Sequence, residues 1–335
     1  MSQLGFVVIG RNEGDRLIRC LKSLRAQCND STPIVYVDSG STDGSIEFAK
    51  SVGADVVSLD LSQPFTMARG RNAGLRHLQQ TYLDVEYIQF LDGDCELVSD
   101  WIEQALQTIQ SDESFAIVCG RRRERFPEES VYNLLADMEW NTPVGEASFC
   151  GGDALIRVAA ISEVDGYNPA MICGEEPEMC IRLRHRGWKI QRIAADMTKH
   201  DLSMYHFGQW WKRMTRSGWA VAEGFVMHGK TEESYMVQEY RSGWLWGALV
   251  PMVALCLAWP SYGVSLFLLL AYPYLGYRIY SGRRDYGDDV REARIYAFFC
   301  TLSKFPQVVG QAKYWVNHFT KQPAKIIEYK AVSDS

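Results

Sequence analysis

Short apolar runs alternate with amphipathic stretches over the first 120 residues. Runs 5–9, 33–37, 55–59, 87–91 and 115–119 are rich in β-branched and aromatic residues and bounded by turn residues, which predicts strands. Segments 14–26, 45–51, 67–80 and 101–111 read as helices; in the first, Leu17, Ile18, Leu21 and Leu24 share one face. Strands alternating with helices predict βαβ units and a largely parallel sheet covered on both sides. Beyond residue 120 the pattern is less regular, with helices expected around 129–140 and after Glu176.

The pattern changes again near residue 243. No Asp, Glu, Lys or Arg occurs from Trp244 to Tyr277, a gap rare on soluble surfaces. Pro260-Ser261-Tyr262-Gly263 divides it into 244–259 and 264–280, each slightly short of the ~20 residues of a perpendicular span. The expectation is a helical hairpin dipping through or deeply into a bilayer, with Trp244, Trp259, Tyr262 and Tyr277 near its ends as interfacial anchors. A buried core hairpin is the other reading. Arg241 on one side and Arg278, Arg283 and Arg284 on the other place both flanks at the cytoplasmic face of the cell membrane. Segment 293–309, interrupted by Lys304 and Pro306, reads as interfacial, and Lys313, Lys321, Lys325 and Lys330 suit an anionic surface. The expected divisions are therefore 1–240, 241–282 and 283–335.

Composition mostly excludes. A net charge of −6 lacks the basic footprint of nucleic-acid binding. Nine cysteines without CxxC spacing suit a reducing compartment. The start of the chain runs directly into a strand, so no secretory signal is expected. The first turn, Gly10-Arg11-Asn12-Glu13-Gly14, lacks the glycine spacing of dinucleotide sites.

Candidate chemistry collects after the strands. Asp92-Gly93-Asp94 ends an apolar run, and two hard oxygen donors on a turn suit Mg²⁺ or Mn²⁺. A solvated Asp-Gly turn is the alternative on these residues alone. Asp38 ends the second strand, placed to accept hydrogen bonds from a base imide or a ribose hydroxyl. Arg69 and Arg71 open a helix, where the dipole disfavours cations, so Arg71 calls for a functional reason.

The series VVIGRNEGDRL (7–17), VDSGSTDGS (37–45), ARGRNAGL (68–75), FLDGDCEL (90–97), FCGGDALIR (149–157) and GEEPEMCIRLRHRGW (174–188) resembles the inverting family 2 glycosyltransferases. The resemblance implies an α/β GT-A fold, Rossmann-like, with a mostly parallel sheet flanked by helices, joined here to a C-terminal hydrophobic helical membrane segment. It implies that Asp38 holds the nucleotide base, usually uracil, and that Arg71, with Arg69 beside it, binds the donor. Asp94 would ligate the metal, with Asp92 on the ribose or the metal and His200 as a further metal or diphosphate contact. Gly151 and Gly152 would border the acceptor. Glu175-Glu176 matches a Glu-Asp pair whose second member is the catalytic base, so Glu176 takes that role with one more methylene than the pattern has.

Arg213 lies in HFGQWWKRMTRSGW (206–219), which resembles a segment that covers the donor diphosphate. An interfacial helix anchored by Trp210 and Trp211 explains that stretch equally well. The implied reaction is inverting sugar transfer from a nucleotide-diphosphate sugar, foremost a UDP-sugar, to a hydroxyl of a glycan or lipid-linked acceptor at a membrane. Transfer to polyprenyl phosphate and a catalytically silent membrane-bound assembly protein are the alternatives.

Overall fold

The computed structural model describes residues 3–321; Lys325 and Lys330 lie outside them. The chain groups into two compact units: one holds residues up to Pro127 together with Glu139–Leu202, the other Glu128–Met138 and the residues from Ser203 onward.

In the first unit the elements run β1 (Leu4–Gly10), α1 (Asp15–Arg25), β2 (Ile34–Asp38), α2 (Ser45–Ser51), β3 (Asp55–Ser58), α3 (Met67–Thr81) and β4 (Tyr87–Asp92). They continue with β5 (Cys95–Leu97), α4 (Trp101–Ser111) and β6 (Phe115–Glu124). Beyond α5 (Val131–Glu139), which falls almost wholly in the second unit, come β7 (Gly145–Ala147), β8 (Ala154–Arg157), α6 (Val158–Glu163), α7 (Glu175–His185) and β9 (Lys189–His200). All five expected strands form, and so do the expected helices.

The sheet itself corrects one expectation. The described strands form one nine-stranded sheet of order β3-β2-β1-β4-β8-β6-β9-β5, with β7 also on β9. β1 to β4 pair in parallel and so do β6 and β9, but β8 runs antiparallel between β4 and β6, and β5 and β7 run antiparallel to β9. The sheet is mixed rather than mostly parallel. Its antiparallel members are three- and four-residue strands, too short to show a period in the sequence.

Both faces are covered, so alternate residues of each strand enter different cores. Val7, Ile9, Val35 and Val37 pack with Leu75 and Leu78 of α3. Phe6, Val8, Ile34 and Tyr36 pack with Leu17, Leu21 and Leu24 of α1 and Trp101 of α4. Gln89 is a polar exception inside β4. Its Oε1 accepts the Trp101 indole N–H at 2.8 Å, and its Nε2 donates to Phe90 O. Parallel register brings Gly10 abreast of Asp38, and Ile9 abreast of Asp92, at the carboxyl ends of β1, β2 and β4. Loops leaving that edge converge, as in other open α/β sheets.

The second unit is helical: α8 (Phe207–His228), α9 (Val237–Trp244), a π-turn at Leu245–Leu249, α10 (Val250–Cys256), a 3₁₀ stretch at Val264–Leu270, α11 (Ala271–Tyr286), α12 (Val290–Leu302) and α13 (Lys304–Thr320). α8 and α13 cross in close contact: a Cβ on Gly310 would stand 1.9 Å from Thr215 O, and one on Gly218 2.0 Å from Gln307 O.

Among the described residues no helix is long and apolar enough to cross a membrane. The charge-free stretch folds as two helical arms joined by a turn with positive φ at Tyr262 and Gly263. Its first arm, the five-residue π-turn and seven-residue α10, rises about 18 Å against a hydrocarbon core of about 30 Å.

Gln89→Leu leaves the buried Trp101 N–H without its partner. The expected cost is about 1–3 kcal/mol, read as a lower urea midpoint at unchanged slope.

Candidate active site

The polar residues of the first unit gather around one buried guanidinium. Arg71, in the first turns of α3, is 2 % exposed and packs over the Tyr167 ring. Its Nη2 meets Asp92 Oδ1 at 2.7 Å; its Nη1 meets Glu175 Oε1 at 2.7 Å and Glu176 Oε1 at 3.0 Å. The fork expected to face a nucleotide therefore grips carboxylates from the end of β4 and the start of α7. A cation at a helix N-terminus is compensated here by three anions.

A second guanidinium, Arg122 of β6, lies 2.8 Å from Asp153 Oδ2 and 3.4 Å from Asp92 Oδ2, and it covers the Trp140 ring. Asp153 is fully buried. It accepts the Asp92 backbone N–H at 3.1 Å and the Thr198 hydroxyl at 2.7 Å. Neither Arg122 nor Asp153 was singled out from the sequence. Asp153 stood inside FCGGDALIR, and Arg122 is the middle of three consecutive arginines on a strand, which alternation sends to the face opposite its neighbours.

Gly152 precedes Asp153 because nothing larger fits. A Cβ there would lie 2.3 Å from Arg71 Nη2, 3.0 Å from Asp92 Oδ2 and 3.1 Å from Glu176 Oε1. Gly151 opens on free space. Of the acidic pair on α7, Glu175 is sealed at 2 % side-chain exposure while Glu176 keeps 16 %. Glu175, expected to touch substrate, is instead an internal partner of Arg71. Burial, with the Glu175 charge next to it, pushes the Glu176 carboxyl up to about 7 despite Arg71.

Asp94 and His200 form the neighbouring group. His200 Nε2 stands 3.1 Å from Asp94 Oδ2, and His200 Nδ1 is buried without a hydrogen-bond partner. Burial and the Arg122 charge hold the imidazole down at about 4, so it is neutral near pH 7, the form that ligates metals. Ligand atoms of Asp94, Cys95 and His200 lie within 4.8 Å of one another, as do those of Asp92, Cys95 and Asp153. Burial raises the Cys95 thiol well above its usual range, which keeps it protonated and leaves the oxygens and the imidazole as donors. Asp94 with His200, and Asp92 with Asp153, offer carboxylate and imidazole donors of the kind that fit Mg²⁺ or Mn²⁺.

Asp38 and Arg69 lie at a separate cleft. Asp38 is 2 % exposed, and both its oxygens are engaged: Tyr36 Oη donates at 3.1 Å, Gly40 N at 2.8 Å and Ser41 N at 3.0 Å. The side chain that lines the adjoining cleft is Ser39, whose buried Oγ has no partner. Arg69 braces the cleft's rim, donating to the carbonyls of Asp60, Gln63 and Pro64. The cleft, of about 400 Å³, is also lined by Arg11, Gly40, Leu59, Leu61 and Phe65. Arg213 lies on α8, in the second unit.

The fold is a GT-A-like mixed α/β sheet with flanking helices. Residues 6–162 match the pattern of glycosyl transferase family 2. The chain is similar to glycosyltransferase AglE of Haloferax volcanii, 22% identical over 222 residues, which cover 62% of this chain and 69% of that protein. It is also similar to the pre-mycofactocin glycosyltransferase of Mycobacterium tuberculosis, 26% identical over 208 residues, covering 58% of this chain and 42% of that one. The putative glycosyltransferase EpsH of Bacillus subtilis matches at 30% over 108 residues, 31% of this chain and 29% of its own length. Among solved structures, the mannosyltransferase PcManGT from Pyrobaculum calidifontis, in complex with GDP-Man and Mn²⁺, shares the fold. Its TM-score is 0.61 at 15% identity, over 93% of this chain and 87% of that one.

Removing the central cation leaves uncompensated buried carboxylates. Arg71→Met is expected to cost about 3–5 kcal/mol in denaturant unfolding, and Arg71→Lys, a point charge without the fork, recovers only part of it.

Proposed function

We propose that the protein transfers a sugar, with inversion, from a nucleotide-diphosphate sugar to a hydroxyl of a glycan or lipid-linked acceptor. The observation that carries this is the single Arg71 guanidinium, which ties Asp92 on the donor side to Glu176 on the acceptor side within one cluster. PcManGT, which shares the fold, is bound to GDP-Man and Mn²⁺, and this supports a nucleotide-sugar donor with a divalent ion. A UDP-sugar remains the first donor to test.

Asp94 would hold Mg²⁺ or Mn²⁺ together with Asp92 and His200; when bound, the ion supplies Lewis-acid stabilisation of a diphosphate leaving group. The residues of this chain do the rest. The cleft beside Ser39 takes the nucleoside, with the free Ser39 hydroxyl offered to base or ribose and Leu59 and Phe65 forming its apolar wall. Glu176, the more exposed member of its pair, accepts the proton of the attacking hydroxyl at Oε1 or Oε2. A carboxyl near 7 is a stronger base than an ordinary carboxylate and is still ionised in large part at neutral pH. That feature favours a hydroxyl acceptor over polyprenyl phosphate, which needs no base.

A thermal-shift screen of nucleotide sugars with Mn²⁺ identifies the donor. In turnover assays with that donor, Glu176→Gln is expected to lose about 10²–10⁴-fold in rate while still binding it. Asp94→Ala is expected to lose Mn²⁺-stimulated donor hydrolysis; unchanged hydrolysis would remove the site assignment.

Activity and stability should move in opposite directions with pH. Transfer needs the Glu176 carboxylate, so its rate rises as pH passes through about 7. The folded carboxyl titrates above its ordinary 4.5, so its contribution to stability is full below that value and is lost as pH rises through about 7. Melting temperatures of the native protein and Glu176→Gln are expected to converge near pH 5 and to favour the variant near pH 8.

A further inference from the structure

The charge-free stretch of the second unit is folded but uncovered. Trp259 is 93% exposed, Tyr262 98%, Phe267 69% and Leu255 65%, with further leucines exposed along both arms. Isolated apolar residues are ordinary on a surface; a contiguous face of them marks something that covers it.

Three observations select a bilayer as that cover. First, the backbone at the apolar tip is satisfied from within. Gly263 N donates to Ala258 O at 2.8 Å, Tyr262 N to Trp259 O at 3.2 Å and Val264 N to Ser261 O at 3.0 Å, while Ser265 Oγ donates to Ala254 O at 2.7 Å. A segment entering hydrocarbon must pair its backbone in this way. Second, aromatic residues stand at the tip and at the start of α11, where Tyr274 and Tyr277 are exposed, as at a membrane–water boundary. Third, charge returns as exposed Arg241 and Arg278 at the two ends of the run, the sign that complements anionic headgroups.

We propose that this face docks into one leaflet of a lipid bilayer without crossing it, Trp259, Tyr262 and Phe267 entering the acyl region and the flanking arginines meeting headgroups. The arms are too short to reach the other side. The inference concerns the second unit and does not rest on the sugar-transfer reading.

The full chain is mixed with sucrose-loaded vesicles of phosphatidylcholine alone, or with about one-third phosphatidylglycerol, and sedimented. Binding to both is expected, tighter to the anionic vesicles, with salt removing the difference but not the binding. The triple variant Trp259→Ser/Tyr262→Ser/Phe267→Ser, whose changed side chains are all exposed, should lower the bound-to-free ratio at least about tenfold. It should keep the circular dichroism spectrum and any donor hydrolysis of the native chain.

Depth is read with Tyr262→Cys and an impermeant thiol reagent trapped in the vesicle lumen, the modified peptide identified by mass spectrometry. Absence of labelling supports entry into one leaflet, while labelling overturns it in favour of a crossing hairpin. Failure of the native chain to sediment, or unchanged sedimentation of the triple variant, overturns the docking surface. So does a dimer abolished by the triple variant in a chain that ignores vesicles, which would make a second copy the cover.

Discussion

A buried guanidinium holding three carboxylates is the constraint on which the first unit depends. Ions taken out of water are costly unless closely paired, and Arg71 at 2 % exposure has little access to solvent. Its partners come from the end of β4 and the start of α7, so the helix that carries the candidate base is pinned to the strand that carries the acidic turn. Gly152 follows from the same constraint, since any side chain there would displace the cation. The antiparallel strand β8 begins two residues later, which places Asp153 to take the Asp92 backbone N–H.

Charge pairing then gives the site its character. Arg71 and Arg122 share Asp92 between them, and Arg122 also pairs with Asp153. Asp94 has a neutral imidazole beside it, 3.1 Å from its Oδ2. Asp94, with Asp92 and His200, would hold a divalent ion, which would supply positive charge to a diphosphate leaving group.

Periodicity made the helices and five strands legible, because both faces of the sheet are covered and the helices carry single apolar stripes; twelve-residue β9, in the less regular region beyond residue 120, was missed. The short antiparallel strands were not legible: three or four residues hold less than two periods. At the site, order along the chain located Asp92, Asp94, His200 and Glu176, all of which come together. It could not show which polar groups are spent internally. Asp38 accepts three hydrogen bonds and Arg69 donates to three carbonyls, and such partners come from backbone turns that composition does not reveal. The charge-free run announced apolar surroundings correctly as a pattern. Its length in space depended on the Tyr262-Gly263 turn, which divides it into two arms.

The longer side chain at Glu176 raised a question of reach, and the cluster bears on it. Arg71 Nη1 serves both acids of α7, closer to Glu175 at 2.7 Å than to Glu176 at 3.0 Å. The closer pair is sealed and the looser one keeps solvent access. The two acids thus divide their tasks: Glu175 supplies the compensation that Arg71 requires, and Glu176 is left with a carboxyl raised by burial and by its neighbour's charge. An extra methylene does not take the carboxylate out of this arrangement, since its Oε1 still meets the guanidinium and would touch any Cβ at Gly152. What fixes the Glu176 carboxylate is therefore the shared cation and the missing side chain at 152 more than the length of the side chain.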